Sequence, residues 1–111
     1  MTVKTISPEE LYRKINGQEK LVVLDVRAEE KYNADHIDGV NIESLNINKA
    51  EIFKLEENDQ SNIDSLPKDK EIIVTCTTGN SATKCANILS ERYYDVVILQ
   101  GGITAWKEFI K

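Results

Sequence analysis

Several features that would direct this chain toward a secreted, membrane or nucleic-acid role are missing. Its two cysteines, Cys76 and Cys85, are too few for a disulfide framework and lack the paired spacing of a structural zinc site, which leaves thiol chemistry as their use. No apolar run approaches the length of a membrane span, and the opening Met1–Ser7 has no hydrophobic signal region, so a cytoplasmic protein away from the membrane is expected. Positive charge is not in excess: 14 Lys and Arg stand against 19 Asp and Glu, for a net charge of -5. That balance argues against a nucleic-acid partner, because phosphate backbones are bound chiefly through clustered Lys and Arg. No Gly/Ser/Pro-rich linker, internal repeat or low-complexity tract divides the 111 residues, which are expected to form a single domain, 1–111.

What is present alternates between short β-branched runs and helical patterns. Val3–Ile6 reads as a first strand, followed by a capping box at Ser7-Pro8-Glu9-Glu10 with proline at the first helical position. Leu11 and Ile15 share one face of that helix, and Gly17 is placed to end it in the left-handed conformation. Leu21–Leu24 is a second, buried strand that runs out in Asp25-Val26-Arg27. A helical turn over Glu29–Ala34 precedes a stretch, Asp35–Ile42, holding a D-G turn and a third short strand. From Glu43 to Leu66 the chain is mostly polar; Ile47–Leu55 is its one helical pattern, with Ile52 and Leu55 facing the core, and Glu56–Ser61 reads as a solvated loop. Val96–Leu99 makes the last strand, Gln100-Gly101-Gly102 a turn, and Ile103, Trp106, Phe109 and Ile110 the apolar face of a final helix. Such alternation implies an α/β fold: a parallel sheet with helices on both faces, joined by right-handed crossovers.

The stretch from Ile72 to Ala86 looks like a reaction site. Ile72, Ile73 and Val74 suit a strand buried on both faces and ending at Cys76. Ala82, Cys85, Ala86 and Leu89 then repeat at the spacing of a helical stripe. Between them lies Cys76-Thr77-Thr78-Gly79-Asn80-Ser81, a loop of small residues in which Gly79 and Asn80 tolerate positive φ. A loop so curled turns its N–H groups inward, and with the positive end of the helix dipole it favours a thiolate or a bound oxyanion. Ligands of parallel sheets sit at the carboxyl ends of the strands, a rule that brings Asp25, Cys76 and Gln100-Gly101-Gly102 to one edge.

Four stretches together resemble the rhodanese homology domain, over nearly the whole chain. They are Leu24-Asp25-Val26-Arg27 with Glu30 and Tyr32; His36-Ile37-x-Gly39-x-Asn41-Ile42; Cys76-x-x-Gly79-Asn80-Ser81; and Leu99-x-Gly101-Gly102-x-x-x-Trp106. The resemblance implies a rhodanese-like five-stranded parallel sheet and a sulfurtransferase whose cysteine, Cys76, becomes a persulfide. It implies no metal and no organic cofactor. The loop departs from the family pattern: the position of Ser81 is arginine in many members, those of Thr77 and Thr78 are basic in the two-domain enzymes, and all three are uncharged here. Lys31 falls where the two-domain enzymes place a substrate-binding arginine.

The expected site is therefore Cys76 as nucleophile, Thr77, Thr78, Gly79, Asn80, Ser81 and Lys31 as substrate contacts, and Asp25 and Arg27 as structural support. Its substrates would be a small sulfur donor, thiosulfate or a persulfide, and a thiol, cyanide-like or protein acceptor; thiosulfate should serve poorly. His36, the single histidine, would activate a thiol in acyl transfer, but the resemblance gives it a structural turn position. Cys85 lies on the core stripe and Lys84 off it, beside the loop. Two rivals share the cysteine: a sulfur-carrier or regulatory module without catalysis, and a phosphatase or arsenate reductase of related fold. The latter needs C-x5-R in a loop one residue longer, and here Ala82 stands at that position, removing the bidentate clamp on a phosphoryl group.

Overall fold

In the computed structural model, which describes residues 3–56 and 66–111, five strands form one parallel sheet in the order β1-β5-β4-β2-β3. In chain order the elements are β1 (Lys4–Ile6), α1 (Pro8–Asn16), β2 (Leu21–Asp25), α2 (Glu29–Ala34), β3 (Ile42–Asn46) and α3 (Lys49–Phe53), which a 3-10 turn continues over Lys54–Glu56. After them come β4 (Ile72–Thr75), α4 (Asn80–Glu91), β5 (Val96–Leu99) and α5 (Gly102–Ile110). The order reverses between β4 and β2, so the crevice above their carboxyl ends is the switch point where open parallel sheets bind ligands.

Alternation along the strands divides the core in two. Val22, Leu24, Ile72, Val74, Val96 and Ile98 face one side with Ile52 of α3 and Ala82, Cys85 and Leu89 of α4. Leu21, Val23, Ile73, Val97 and Leu99 face the other with Leu11 of α1 and Ile103 and Trp106 of α5. Each fully buried aliphatic side chain contributes about 1.5–3 kcal/mol, so these two layers are what hold the helices on the sheet.

The capping box at the start of α1 is complete: Glu10 N–H donates to Ser7 Oγ at 3.1 Å and Ser7 N–H to Glu10 Oε1 at 3.0 Å. Its end differs from expectation. Gly17 keeps φ -76, and Gln18 takes the left-handed conformation at φ 61, because the closing bonds, Gln18 N–H to Ile15 O and Glu19 N–H to Lys14 O, place the turn one residue later. The third strand also lies later, at Ile42–Asn46. As an edge strand paired to β2 alone, it tolerates polar residues on its partly exposed faces. Strand β4 stops at Thr75, one residue short of Cys76. Phe109 and Ile110, expected on the buried face of α5, are 42% and 51% exposed; Phe109 packs on the rings of Tyr12 and Trp106 beyond the sheet. Of the expected loop Glu56–Ser61, all but Glu56 lies outside the described residues.

Candidate active site

Cys76 is the first residue past β4, and the strand's alternation carries Ile72, Val74 and Cys76 to the same side as α3 and α4. The loop then curls under Gly79, whose φ of 106 makes it the cap of α4; Asn80, which also tolerates positive φ though less freely than glycine, is already helical. Two backbone donors converge on the sulfur: Gly79 N–H at 3.0 Å and Ala82 N–H at 3.3 Å from Cys76 Sγ. A donor expected from the run Thr77–Ser81 is thus Gly79, and the second, Ala82, lies just beyond that run because the orphan N–H groups of a helix extend through its first turn. The first two of these, on Asn80 and Ser81, have no protein acceptor among the described residues.

The loop is held from behind by α5. Ile103 N–H donates to Cys76 O at 2.8 Å and Thr104 N–H to Thr77 O at 3.0 Å. In a trans peptide the N–H points opposite to the C=O. Tying these carbonyls to α5 therefore turns the N–H groups of Thr77 and Thr78 away from it, toward the open side of the loop. The approach is close enough to require glycine: at Gly102, φ 64, a Cβ would lie 2.4 Å from Cys76 O and 2.7 Å from Thr77 O. The Gly101-Gly102 turn thus shapes the loop without facing its opening.

In front of the sulfur lies a cavity of about 350 Å³. Its loop side is Cys76, Thr77, Thr78, Asn80 and Ser81; its far side is Val26, Arg27 and Ala28 after β2, with Lys31 of α2. The structure therefore brings together the expected Lys31, Thr77, Thr78, Asn80 and Ser81, whereas Gly79 stays out of the lining and gives its N–H to the sulfur. It also adds two that sequence reading missed, Asn48 and Lys49, at the start of α3. These lie in the polar stretch after β3 and reach the cavity because that exit runs beside the end of β2: Ile47 N–H donates to Asp25 O at 3.1 Å and Lys49 N–H to Val26 O at 3.0 Å. The signal available was positional, since every strand-to-helix turn of a parallel sheet opens on this edge.

The three cations of the cavity wall differ in their commitments. Arg27 is buried and clasped by Asp25, itself 1% exposed, with Nη2 to Oδ2 at 2.7 Å and Nε to both carboxylate oxygens at 3.0 Å. Its Nη2 also donates to Asp35 O at 2.6 Å. The Asp25 carboxylate beside it raises its pKa further, keeping it charged but matched in charge. Asn46 Nδ2 ties the same turn, donating to Asp25 O and Arg27 O at 3.0 Å each. Lys31 and Lys49 are exposed at the mouth, and neither forms an ion pair with a described residue.

Three residues near the loop in sequence or chemistry stay out of the cavity. His36 stacks on Tyr32 with ring centroids 4.0 Å apart, and its Nδ1 lies 2.8 Å from Tyr32 O. Lys84 places its ammonium 4.5 Å from the centre of the Phe53 ring. Cys85 is sealed in the core at 0% exposure, where burial pushes its thiol up to about 12. Among the described residues no three His, Cys, Asp or Glu side chains cluster as metal ligands, and no helix is long and apolar enough to cross a membrane.

A parallel sheet whose switch-point loop wraps a cysteine in backbone N–H groups defines a class. The model of the Rhodanese-like domain matches residues 7–109, and the chain belongs to that family. Among its relatives, the "Probable adenylyltransferase/sulfurtransferase MoeZ" of Mycobacterium tuberculosis is 35% identical over 103 residues, covering 92% of this chain. This chain spans only 24% of that protein's length. The "Thiosulfate sulfurtransferase GlpE" of Pseudomonas fluorescens is 30% identical over 106 residues, 94% of this chain and 84% of the relative. Among solved structures, a rhodanese-related protein from Thermoplasma volcanium superposes with a TM-score of 0.72 at 30% identity, over 96% of this chain and 92% of that one.

Proposed function

We propose that residues 1–111 act as one domain, a sulfurtransferase that carries sulfane sulfur as a persulfide on Cys76. The observation that carries this reading is the pair of N–H donors on Cys76 Sγ, 3.0 and 3.3 Å away, at the floor of an open cavity. Each hydrogen bond to a charged acceptor is worth roughly 1.5–3 kcal/mol, so the two favour negative charge on the sulfur before and after reaction. The thiolate attacks the sulfane sulfur of the donor, the donor's S–S bond breaks, and its electron pair departs with the leaving group, sulfite or a thiolate. The outer sulfur of the persulfide then occupies the cavity until an acceptor, cyanide or a thiol, attacks it and Cys76 leaves as thiolate. This is covalent catalysis in two half-reactions. The names of the relatives, sulfurtransferases among them, support the same class of chemistry.

Residues Thr77, Thr78, Asn80 and Ser81 bring no charge of their own to the mouth, so thiosulfate is a weaker donor than it would be beside a basic loop, and a low-molecular-weight persulfide, with less charge to neutralise, is a better one. Asp25 and Arg27 hold the neighbouring turn. A phosphatase reading gains nothing from the loop: Ala82 is fully buried and brings only its N–H to the sulfur, so the bidentate arginine clamp on a phosphoryl group is missing. Intact mass spectrometry after incubation with thiosulfate or a persulfide tests the proposal. A gain of about 32 Da is expected, absent in Cys76→Ser and kept in Cys85→Ser. The opposite pattern would overturn the assignment. Multiple turnover with cyanide or a thiol acceptor distinguishes an enzyme from a carrier that is loaded once.

A further inference from the structure

We propose that Lys49 binds the anionic group of the sulfur donor, forming with Lys31 a two-lysine clasp in the cavity in front of Cys76. This rests on the sulfurtransferase reading and names its donor class: a sulfane sulfur attached to a group that itself carries negative charge, as in thiosulfate or a carboxylate-bearing persulfide. A thiolate attacking such a donor meets like charge, and the step is fast only where cations offset the repulsion. The loop offers none, since Thr77, Thr78 and Ser81 are uncharged. Arg27 offers little, because the Asp25 carboxylate occupies its guanidinium at 2.7–3.0 Å.

Lys31 and Lys49 remain. They come from different helices, α2 and α3, and line the same cavity as Cys76. The position of Lys49 is fixed by its own backbone, whose N–H donates to Val26 O at 3.0 Å, and by Asn48, whose Oδ1 accepts from Ala50 N–H at 2.9 Å to start the helix. As the Cys76 thiolate bonds to the sulfane sulfur, the donor's S–S electron pair goes to the leaving group, so the charge lost by the thiolate adds to the charge that group already carries. The clasp therefore acts mainly on a donor whose leaving group is already charged before attack, strengthening its binding.

The test compares thiosulfate with 2-hydroxyethyl persulfide, whose only charge is on sulfur, on the wild type, Lys49→Gln and Lys49→Arg. For Lys49→Gln we expect the KM for thiosulfate to rise about fivefold to twentyfold and its salt dependence to flatten, while loading of Cys76 by the persulfide changes less than about twofold. Lys49→Arg should restore most of the loss. Equal loss with both donors would mean that Lys49 supports the fold of the mouth and would overturn the proposal. So would thiosulfate kinetics indifferent to Lys49→Gln. Failure of the wild type to load from either donor would instead remove the sulfurtransferase reading beneath it.

Discussion

Cys76 and Cys85 stand nine positions apart, both face the layer between the sheet and α4, and their exposures, 5% and 0%, are close. Their surroundings are opposite. Cys76 sits where a strand has ended and a helix has not yet closed its hydrogen bonds, so two N–H groups without helical partners turn to its sulfur. Cys85 lies one and a half turns into α4, where the backbone donors nearby are consumed by the helix and only apolar atoms remain; burial pushes its thiol up to about 12. Burial by itself does not decide whether a cysteine reacts. What decides is whether burial comes with donors for the anion.

The sharpest way to break this comparison is differential alkylation. With iodoacetamide near neutral pH, Cys76 is expected to react more than about a hundredfold faster than Cys85, read by peptide mass spectrometry; comparable rates would erase the distinction. His36→Ala should leave the Cys76 rate within about twofold, because the imidazole is engaged with Tyr32 rather than with the sulfur.

A smaller effect is expected from the rear of the loop. Gly102→Ala forces a Cβ to within 2.4 Å of Cys76 O, and the loop must shift. A displacement of this order at a reacting centre costs about tenfold to a hundredfold in rate. Sulfur loading should fall by that factor while circular dichroism keeps the native signature, which separates misplaced donors from a lost fold. Retained loading would show that the α5 contacts do not set the donor geometry.

Cys85 provides the converse. Cys85→Ser should leave sulfur loading intact but destabilise the domain by about 1–3 kcal/mol in urea unfolding, since a hydroxyl enters an apolar site. The raised thiol also has a consequence for pH. In the unfolded chain this thiol ionises near pH ~8.5, so its contribution to stability is complete below that value and is lost as pH climbs toward about 12. Cys85→Ala should show a shallower alkaline decline than the wild type.

The smallest effect concerns the network that steadies the cavity's far wall. The Lys107 ammonium, followed by Arg27, holds the Asp35 carboxyl below its ordinary value of 3.8. A lowered carboxyl stabilises the fold above its unfolded pKa, and the contribution disappears as pH falls through the folded value. Between about pH 5 and about pH 3 the wild type should therefore lose slightly more stability than Asp35→Asn, by a margin typical of exposed ion pairs. Equal losses would show that this surface pair contributes nothing.

The sequence by itself determined the elements whose signals are local. Proline and the capping box of Ser7 and Glu10 begin α1, β-branched runs make β2, β4 and β5, and small residues with Gly79 curl the loop before the stripe of α4. A candidate nucleophile can be picked from the two cysteines because one stands on the stripe and one before it. Tertiary structure decided what depends on neighbours in space. It placed the edge strand at Ile42–Asn46, where one-sided pairing excuses a polar sequence, and moved the left-handed turn from Gly17 to Gln18. It chose Ala82 as the second donor to the sulfur and set Gly102 behind the loop's carbonyls. It alone brought Lys49 to the cavity of Cys76, for the two are 27 positions apart in the chain and share that cavity only because β3 and β4 flank β2 in one parallel sheet. Local periodicity encodes which face of an element is buried; strand order, which no local pattern encodes, decides whose ends share a cavity.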